Sequence, residues 1–271
     1  MRKWSEIKRL SKATDADRSE ARAELAEEMA AHAEASSAVT KVEFAAPWKD
    51  QLALVPAIGH TVAELLPPGF ARYVRVFHPF VPWTAHPEEA VSRRNCGRWA
   101  DIARDAGVTF GPTLTWRQLE KTLPVGDNGQ RPYAVWEGDL ELGTADALFA
   151  ALPNQAVDGY FFAFGLVAII RTDAHVPVTY FVRSLEYRNA VIQAVNGGDA
   201  KSITTAEYVW PTDNSWIICT DYDLTSTYVA LGIDAASRLL ATPEIEAVEV
   251  ALDTRVDDAA DEQNSSFDPS K

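Results

Sequence analysis

The side chains of this chain best suited to chemistry are concentrated in Thr220–Asp221–Tyr222–Asp223–Leu224–Thr225–Ser226–Thr227. The segment follows directly on the apolar run Trp216–Ile217–Ile218–Cys219, which reads as a buried strand. Two carboxylates one residue apart can share a divalent cation, or one can attack while the other transfers a proton. Strand ends are common mounts for such groups. They are also where Asp and Thr side chains bond backbone N–H groups in turns and caps. On that second reading Asp223, Thr225, Ser226 and Thr227 bracket a tight passage from strand to a helix beginning near Gly232. On a third, Asp221, Asp223 and Thr225 line a pocket with Trp210 and Trp216, where aromatic rings and carboxylates suit a cationic partner.

No companion motif selects among these. The chain has no G-x-S-x-G elbow, no phosphate-binding glycine loop and no H-E-x-x-H. Its histidines are His32, His60, His78, His86 and His175. His78, His86 and Cys96 share one loop-rich region, but their spacing matches no common zinc pattern. No metal site and no cofactor are therefore expected.

The elements that must position these residues follow from periodicity and punctuation. Phe70–His78 alternates, with Tyr73 and Arg75 facing away from Val74 and Val76, which is a strand signal. Tyr160–Ile170, Val176–Arg183, Ser215–Thr220 and the alternating Glu244–Leu252 are further strands, and Thr40–Phe44 is a short one. Helices are expected over Leu52–Leu66, Arg98–Ala106, Thr115–Leu123, Thr144–Leu152, Glu186–Val195 and Gly232–Thr242, the last capped near Asp234. Pro79–Pro87 and Val125–Pro132 read as loops, and Trp210–Pro211 as a turn. Strands and helices do not alternate strictly. The expected fold class is α+β, with a mixed, largely antiparallel sheet and packed helices, rather than a doubly wound parallel sheet.

Four segments are expected. Residues 1–36 form a helical arm rich in Ala and Glu, on which Leu25 and Met29 lie one turn apart and Trp4 and Ile7 add apolar anchors. Residues 37–47 are a linker, 48–252 the globular domain, and 253–271 a polar, acidic tail that buries too little apolar surface to order itself.

The formal net charge of −14 argues against a general nucleic-acid binder, which needs a basic face to displace counterions, and disfavours anionic membrane surfaces. The longest apolar run, Tyr160–Ile170, falls short of the ~20 residues of a membrane helix. No apolar core follows Met1-Arg2-Lys3, so no signal peptide is expected, and the cytoplasm is the default compartment.

Three resemblances add expectations. The main domain is similar to an uncharacterised actinobacterial family. The residues that carry this are Tyr73-Val74-Arg75-Val76-Phe77-His78-Pro79, Trp99, Trp116, Trp210-Pro211-Thr212-Asp213, Trp216 and the run from Thr220 to Val229. That resemblance implies fold kinship. The start, Trp4-Ser5-Glu6-Ile7-Lys8 and the charged helix after it, resembles the leader of bacterial antitoxins; no helix-turn-helix pattern follows it. It implies an arm that contacts a toxin-like partner through Trp4, Ile7, Leu25 and Met29. Asp221-x-Asp223-x-Thr225 resembles the first motif of haloacid-dehalogenase-type phosphotransferases. This implies Asp221 as nucleophile and Asp223 as general acid with Mg²⁺, although Lys271 is the only lysine downstream for that family's later motifs.

The expected function is that of a non-enzymatic interaction protein of antitoxin or immunity type, binding and neutralising a basic, toxin-like protein. One alternative is a metal-dependent hydrolase or phosphotransferase using Asp221 and Asp223. Another is a structural scaffold domain.

Overall fold

The structure, a computed structural model, describes residues 37–43, 46–52, 60–82, 96–125, 129, 131–153, 158–166, 178–195, 205–257 and 260. Its centre is an eight-stranded sheet built from β1 (Thr40–Val42), β2 (Arg72–Phe77), β5 (Tyr160–Phe164), β6 (Val178–Val182), β7 (Tyr208–Pro211), β8 (Ile217–Cys219), β9 (Ser226–Leu231) and β10 (Ala247–Val250). The spatial order is β1-β6-β5-β7-β8-β9-β2-β10, and every pairing in it is antiparallel. A separate ribbon pairs β3 (Val81–Pro82) with β4 (Tyr133–Ala134). The fold is α+β.

Both faces of the sheet are covered. On one, Val74, Val76, Phe162, Val209, Ile218 and Val229 pack against α4 (Leu142–Ala151), α5 (Arg188–Val195) and α6 (Ile233–Ala241) through Leu148, Val191 and Leu239. On the other, Tyr73, Tyr208, Trp210, Ile217, Tyr228 and Ala230 meet Trp48, Leu52, Val256 and the short α1 (Val62–Leu65). A third cluster, beyond the end of β2, joins Phe77 and Phe80 to Trp99 of α2 (Trp99–Asp105), to Leu114, and to Leu119 of α3 (Trp116–Glu120).

Local chemistry explains the boundaries. Thr115 and Gln118 form a reciprocal capping box at the start of α3, and Thr61 and Glu64 do the same for α1. Gly107, at φ +69°, follows α2 in the left-handed conformation favoured at helix ends. The N–H groups of Trp99 and Ala100 bond the Glu246 carboxylate, 2.7 and 3.0 Å away, so a residue just ahead of β10 caps α2.

Several expectations need correction. Trp210–Pro211 ends strand β7 rather than forming a turn. Pro211 lies past the last β7–β8 pairing, Val209 with Ile218, where no ladder N–H is required. Ser226–Leu231 is a wholly buried central strand, not a passage into a helix. The cap of α6 is Gly232, with no side-chain bond, and Asp234 lies in its first turn. Of the helix expected over Leu52–Leu66, the described part holds only Val62–Leu65. The loop expected at Pro79–Pro87 contains β3. Packing also runs past Leu252: Arg255 bridges to Thr61, Val256 is buried, and Arg255 pairs with Asp257 at 2.8 Å. Trp4, Ile7, Leu25 and Met29 lie outside the described residues.

Candidate functional site

Alternation along β2 and β9 divides their polar residues between the two faces. Thr227 shares a face with Val229 and Leu231, and His78 follows in step from Val74 and Val76. Thr220, just past β8, lines a small apolar gap of about 30 Å³ with Leu148, Phe162 and Ile218 on that same face. These three residues are buried and form one hydrogen-bonded chain. His78 Nδ1 lies 2.7 Å from the Trp136 carbonyl, which can only accept, so Nδ1 carries the proton. Nε2 then accepts from the Thr227 hydroxyl at 3.0 Å, and Thr227 Oγ1 accepts from Thr220 at 2.8 Å. Burial lowers the His78 pKa to about 4, outweighing the bond to the Trp136 carbonyl, and Arg75 lowers it further. The imidazole is neutral near pH 7, and the chain has no group turned toward solvent.

On the opposite face, at the same strand ends, lies a cleft of about 300 Å³. Its buried lining is Arg75, Thr115, Asp221, Ser226, Tyr228 and Val256; Trp116, Leu224, Thr225 and Asp257 are half-buried, and His60, Glu137 and Asp223 are exposed at its rim. Arg75 is 3% exposed. Its Nε donates to Ser226 Oγ at 2.9 Å and its Nη1 to the Pro112 carbonyl at 2.8 Å. The guanidinium lies over the Phe77 ring, 4.3 Å from its centroid. Among the described residues no carboxylate pairs with it. Burial lowers its pKa from the ordinary value, against an opposing attraction from Tyr228, but a guanidinium remains charged near neutral pH. Burial likewise raises the Tyr228 phenol, and Arg75 pulls it back down.

The Asp221–Asp223 pair splits by environment. Asp221 is wholly buried, and its Oδ1 accepts the Asp223 N–H at 3.0 Å while its carbonyl accepts the Leu224 N–H at 3.1 Å. It closes the turn that leads β8 into β9. Asp223 is exposed on the rim. Gly138 sits against this turn, donating its N–H to the Leu224 carbonyl at 2.9 Å. At φ +70°, a Cβ on Gly138 would lie 2.6 Å from the Tyr222 Cα. Asp257 accepts from Arg255 and from the His60 N–H. Burial alone would raise its carboxyl, but those bonds prevail and hold it below the usual carboxylate range.

The structure therefore brings Asp221, Asp223 and Thr225 to one cleft, as the pocket reading anticipates, and separates Trp210 and Trp216 from it. Trp216 stacks on Tyr160 beneath the helices, and Trp210 stacks on Phe161 on the other face. Both are core. Arg75, Tyr228, Glu137 and His60 also line the cleft and were not expected as site residues, and Ser226, expected to bracket a turn, lies there too. The available signal was a single arginine in the otherwise apolar run Tyr73–Phe77. His78 is committed to its own chain rather than to Cys96. Among the described residues no three His, Cys, Asp or Glu side chains converge as a metal site. No described helix is long and apolar enough to cross a membrane.

Comparison of the chain with protein-family models, with curated proteins and with solved structures gives no match.

Proposed function

We propose that this chain is a non-catalytic recognition protein that binds and masks a basic protein partner in the cytoplasm, in the manner of an antitoxin or immunity protein. The observation that carries this reading is the carboxylate rim of the cleft, with Glu137 and Asp223 exposed, on a chain of net charge −14. Such a surface steers a cationic partner and enforces specificity. The groups best suited to catalysis are committed elsewhere: Asp221 to its turn, His78 to its hydroxyl chain. In this reading Trp4, Ile7, Leu25 and Met29 supply the apolar part of the contact.

The test is co-expression of the full chain with the products of neighbouring genes. The expected result is a complex that co-elutes on size exclusion and restores growth to cells poisoned by the partner. Asp223→Lys and the combined variant Trp4→Ala, Ile7→Ala, Leu25→Ala, Met29→Ala should each weaken it. Partners that neither co-elute nor lose toxicity would overturn the reading.

A second reading, a metal-dependent hydrolase or phosphotransferase, draws on the shared location of Asp221 and Asp223 in the cleft. Attack on phosphorus requires an accessible carboxylate, and Asp221 is sealed in its turn. Mg²⁺-dependent turnover of para-nitrophenyl phosphate that Asp221→Asn abolishes would favour this reading over masking.

A further inference from the structure

A buried guanidinium without an anion is a costly arrangement. Removing a charge from water is repaid only by a partner of opposite sign or by full hydrogen bonding. Among the described residues Arg75 has no anion: Ser226 accepts from Nε and Pro112 from Nη1, and its other donors, which are not sealed from solvent, open on the cleft. Tyr228 is also largely buried, and its ring centroid lies 6.0 Å from the Arg75 guanidinium carbon. Both side chains line the cleft. A guanidinium without a counter-charge among the described residues and a phenol thus converge on one concave space, with the Ser226 Oγ bonded to Arg75.

We infer that the cleft binds a small zwitterion of amino-acid to dipeptide size, its carboxylate on Arg75 and Tyr228 and its cationic group at Asp223 and Glu137. The planar fork of Arg75 matches a carboxylate, and the Tyr228 hydroxyl supplies a further donor. The rim decides between anions. A phosphate dianion reaching Arg75 would be surrounded by the carboxylates of Asp221, Asp223 and Glu137, whereas a single carboxylate carrying its own cation turns that repulsion into attraction. Trp116 in the wall offers an aromatic face to the cationic end. The volume of about 300 Å³ lies at the small end of ligand sites.

This inference goes beyond partner masking and does not depend on it. Its test uses the purified full chain and no partner. Calorimetry and thermal shift are run with L-arginine, L-lysine, glycine and glycyl-lysine as zwitterions. Agmatine serves as cation alone, and acetate and inorganic phosphate as anions alone. At least one zwitterion should bind saturably and raise Tm, with agmatine, acetate and phosphate each weaker by about tenfold or more. Arg75→Met and Asp223→Asn should each weaken the zwitterion about tenfold or more. If Arg75→Met fails to fold, Arg75→Lys, which keeps the charge and loses the fork, and Tyr228→Phe take its place, with weakened binding expected in both. Binding by none of the zwitterions, equal binding of phosphate, or unchanged affinity in Asp223→Asn and the Arg75 variant would overturn the assignment.

Discussion

On the face of the sheet covered by α4 and α6, the strand ends carry Thr220, Thr227 and His78. On the other face, at the same level, they carry Arg75, Ser226 and Tyr228. The first set is saturated. Each of its hydrogen bonds is made inside the protein, and it ends on a backbone carbonyl. The second set is open: among the described residues its cation has no counter-charge, and all three side chains line a cleft. The two sets have the same parentage, since β2 and β9 contribute to both by simple alternation. What separates them is what covers each face. Helices seal one, while the other is left as a cleft between the Asp221–Thr225 turn and the segment reaching Asp257. Burial of polar groups is therefore not by itself a sign of function here. Opening onto a cleft is the better sign: the sealed atoms without a partner among the described residues, Trp48 Nε1, Asn214 Oδ1 and Trp216 Nε1, lie outside it.

The contrast predicts different responses to truncation. His78→Leu strands the Thr227 hydroxyl and the Trp136 carbonyl, each at about 1–3 kcal/mol, so a loss of about 3 kcal/mol or more is expected in urea unfolding. If His78→Leu were neutral, the saturated chain would not be structural.

The pH dependence sharpens the same point. The folded pKa of His78, about 4, lies below the unfolded value of 6.5, so the unfolded chain binds more protons between those limits. The stability contributed by the neutral, bonded imidazole is fully present above pH 6.5. It is lost as pH falls toward 4, by roughly 3 kcal/mol in all. Equilibrium unfolding across that window should show the slope, and His78→Leu should flatten it. An unchanged slope in the variant would assign it to other groups.

Gly138→Ala tests whether the turn shapes the cleft. The left-handed backbone alone costs about 1–2 kcal/mol, and the added Cβ displaces Tyr222. A stability loss of about 2 kcal/mol is expected, together with a change in Trp116 fluorescence at the cleft wall. Loss of stability with no change at the cleft would uncouple the turn from it.

The smallest effect belongs to Arg75. Removing a buried cation that has no counter-charge among the described residues relieves its desolvation cost, which offsets the stranding of the Ser226 hydroxyl and the Pro112 carbonyl. Arg75→Met is thus expected to change stability by no more than about 1 kcal/mol, despite the loss of two hydrogen bonds. Destabilisation on the scale of His78→Leu would mean that Arg75 is structural after all and that the two faces do not differ.

Much of the fold was legible from residue patterns. The stops at Gly107 and Pro153 end α2 and α4 close to where they were expected, and the alternation of Tyr73, Val74, Arg75 and Val76 placed their faces correctly. Besides the two-residue β3 and β4, the misses are β7 and β9. A strand covered on both faces has no polar side to alternate with, so Ser226–Leu231 carried no period, and its leading Ser and Thr resembled a cap. A turn held by backbone bonds was legible after Cys219 because an Asx turn is local, although the residue that makes it is Asp221 rather than Asp223. The place of Arg75 in the cleft was not, because it depends on segments distant in sequence, Thr115–Trp116, Asp221–Thr225 and Val256–Asp257, closing around it.

The amino-acid order by itself determined the local states of this protein: which segments are helix or strand, where they stop, which side of β2 each residue takes, and the acidic balance of the whole. Those follow from propensity, capping and period, all acting over a few residues. Only the tertiary structure decided that Thr227 would be sealed beneath helices while its neighbours Ser226 and Tyr228 faced a cleft. It also decided that Trp210 and Trp216 would become core on opposite faces. Exposure is a property of what packs above a residue, and that is set by chain segments far away in sequence.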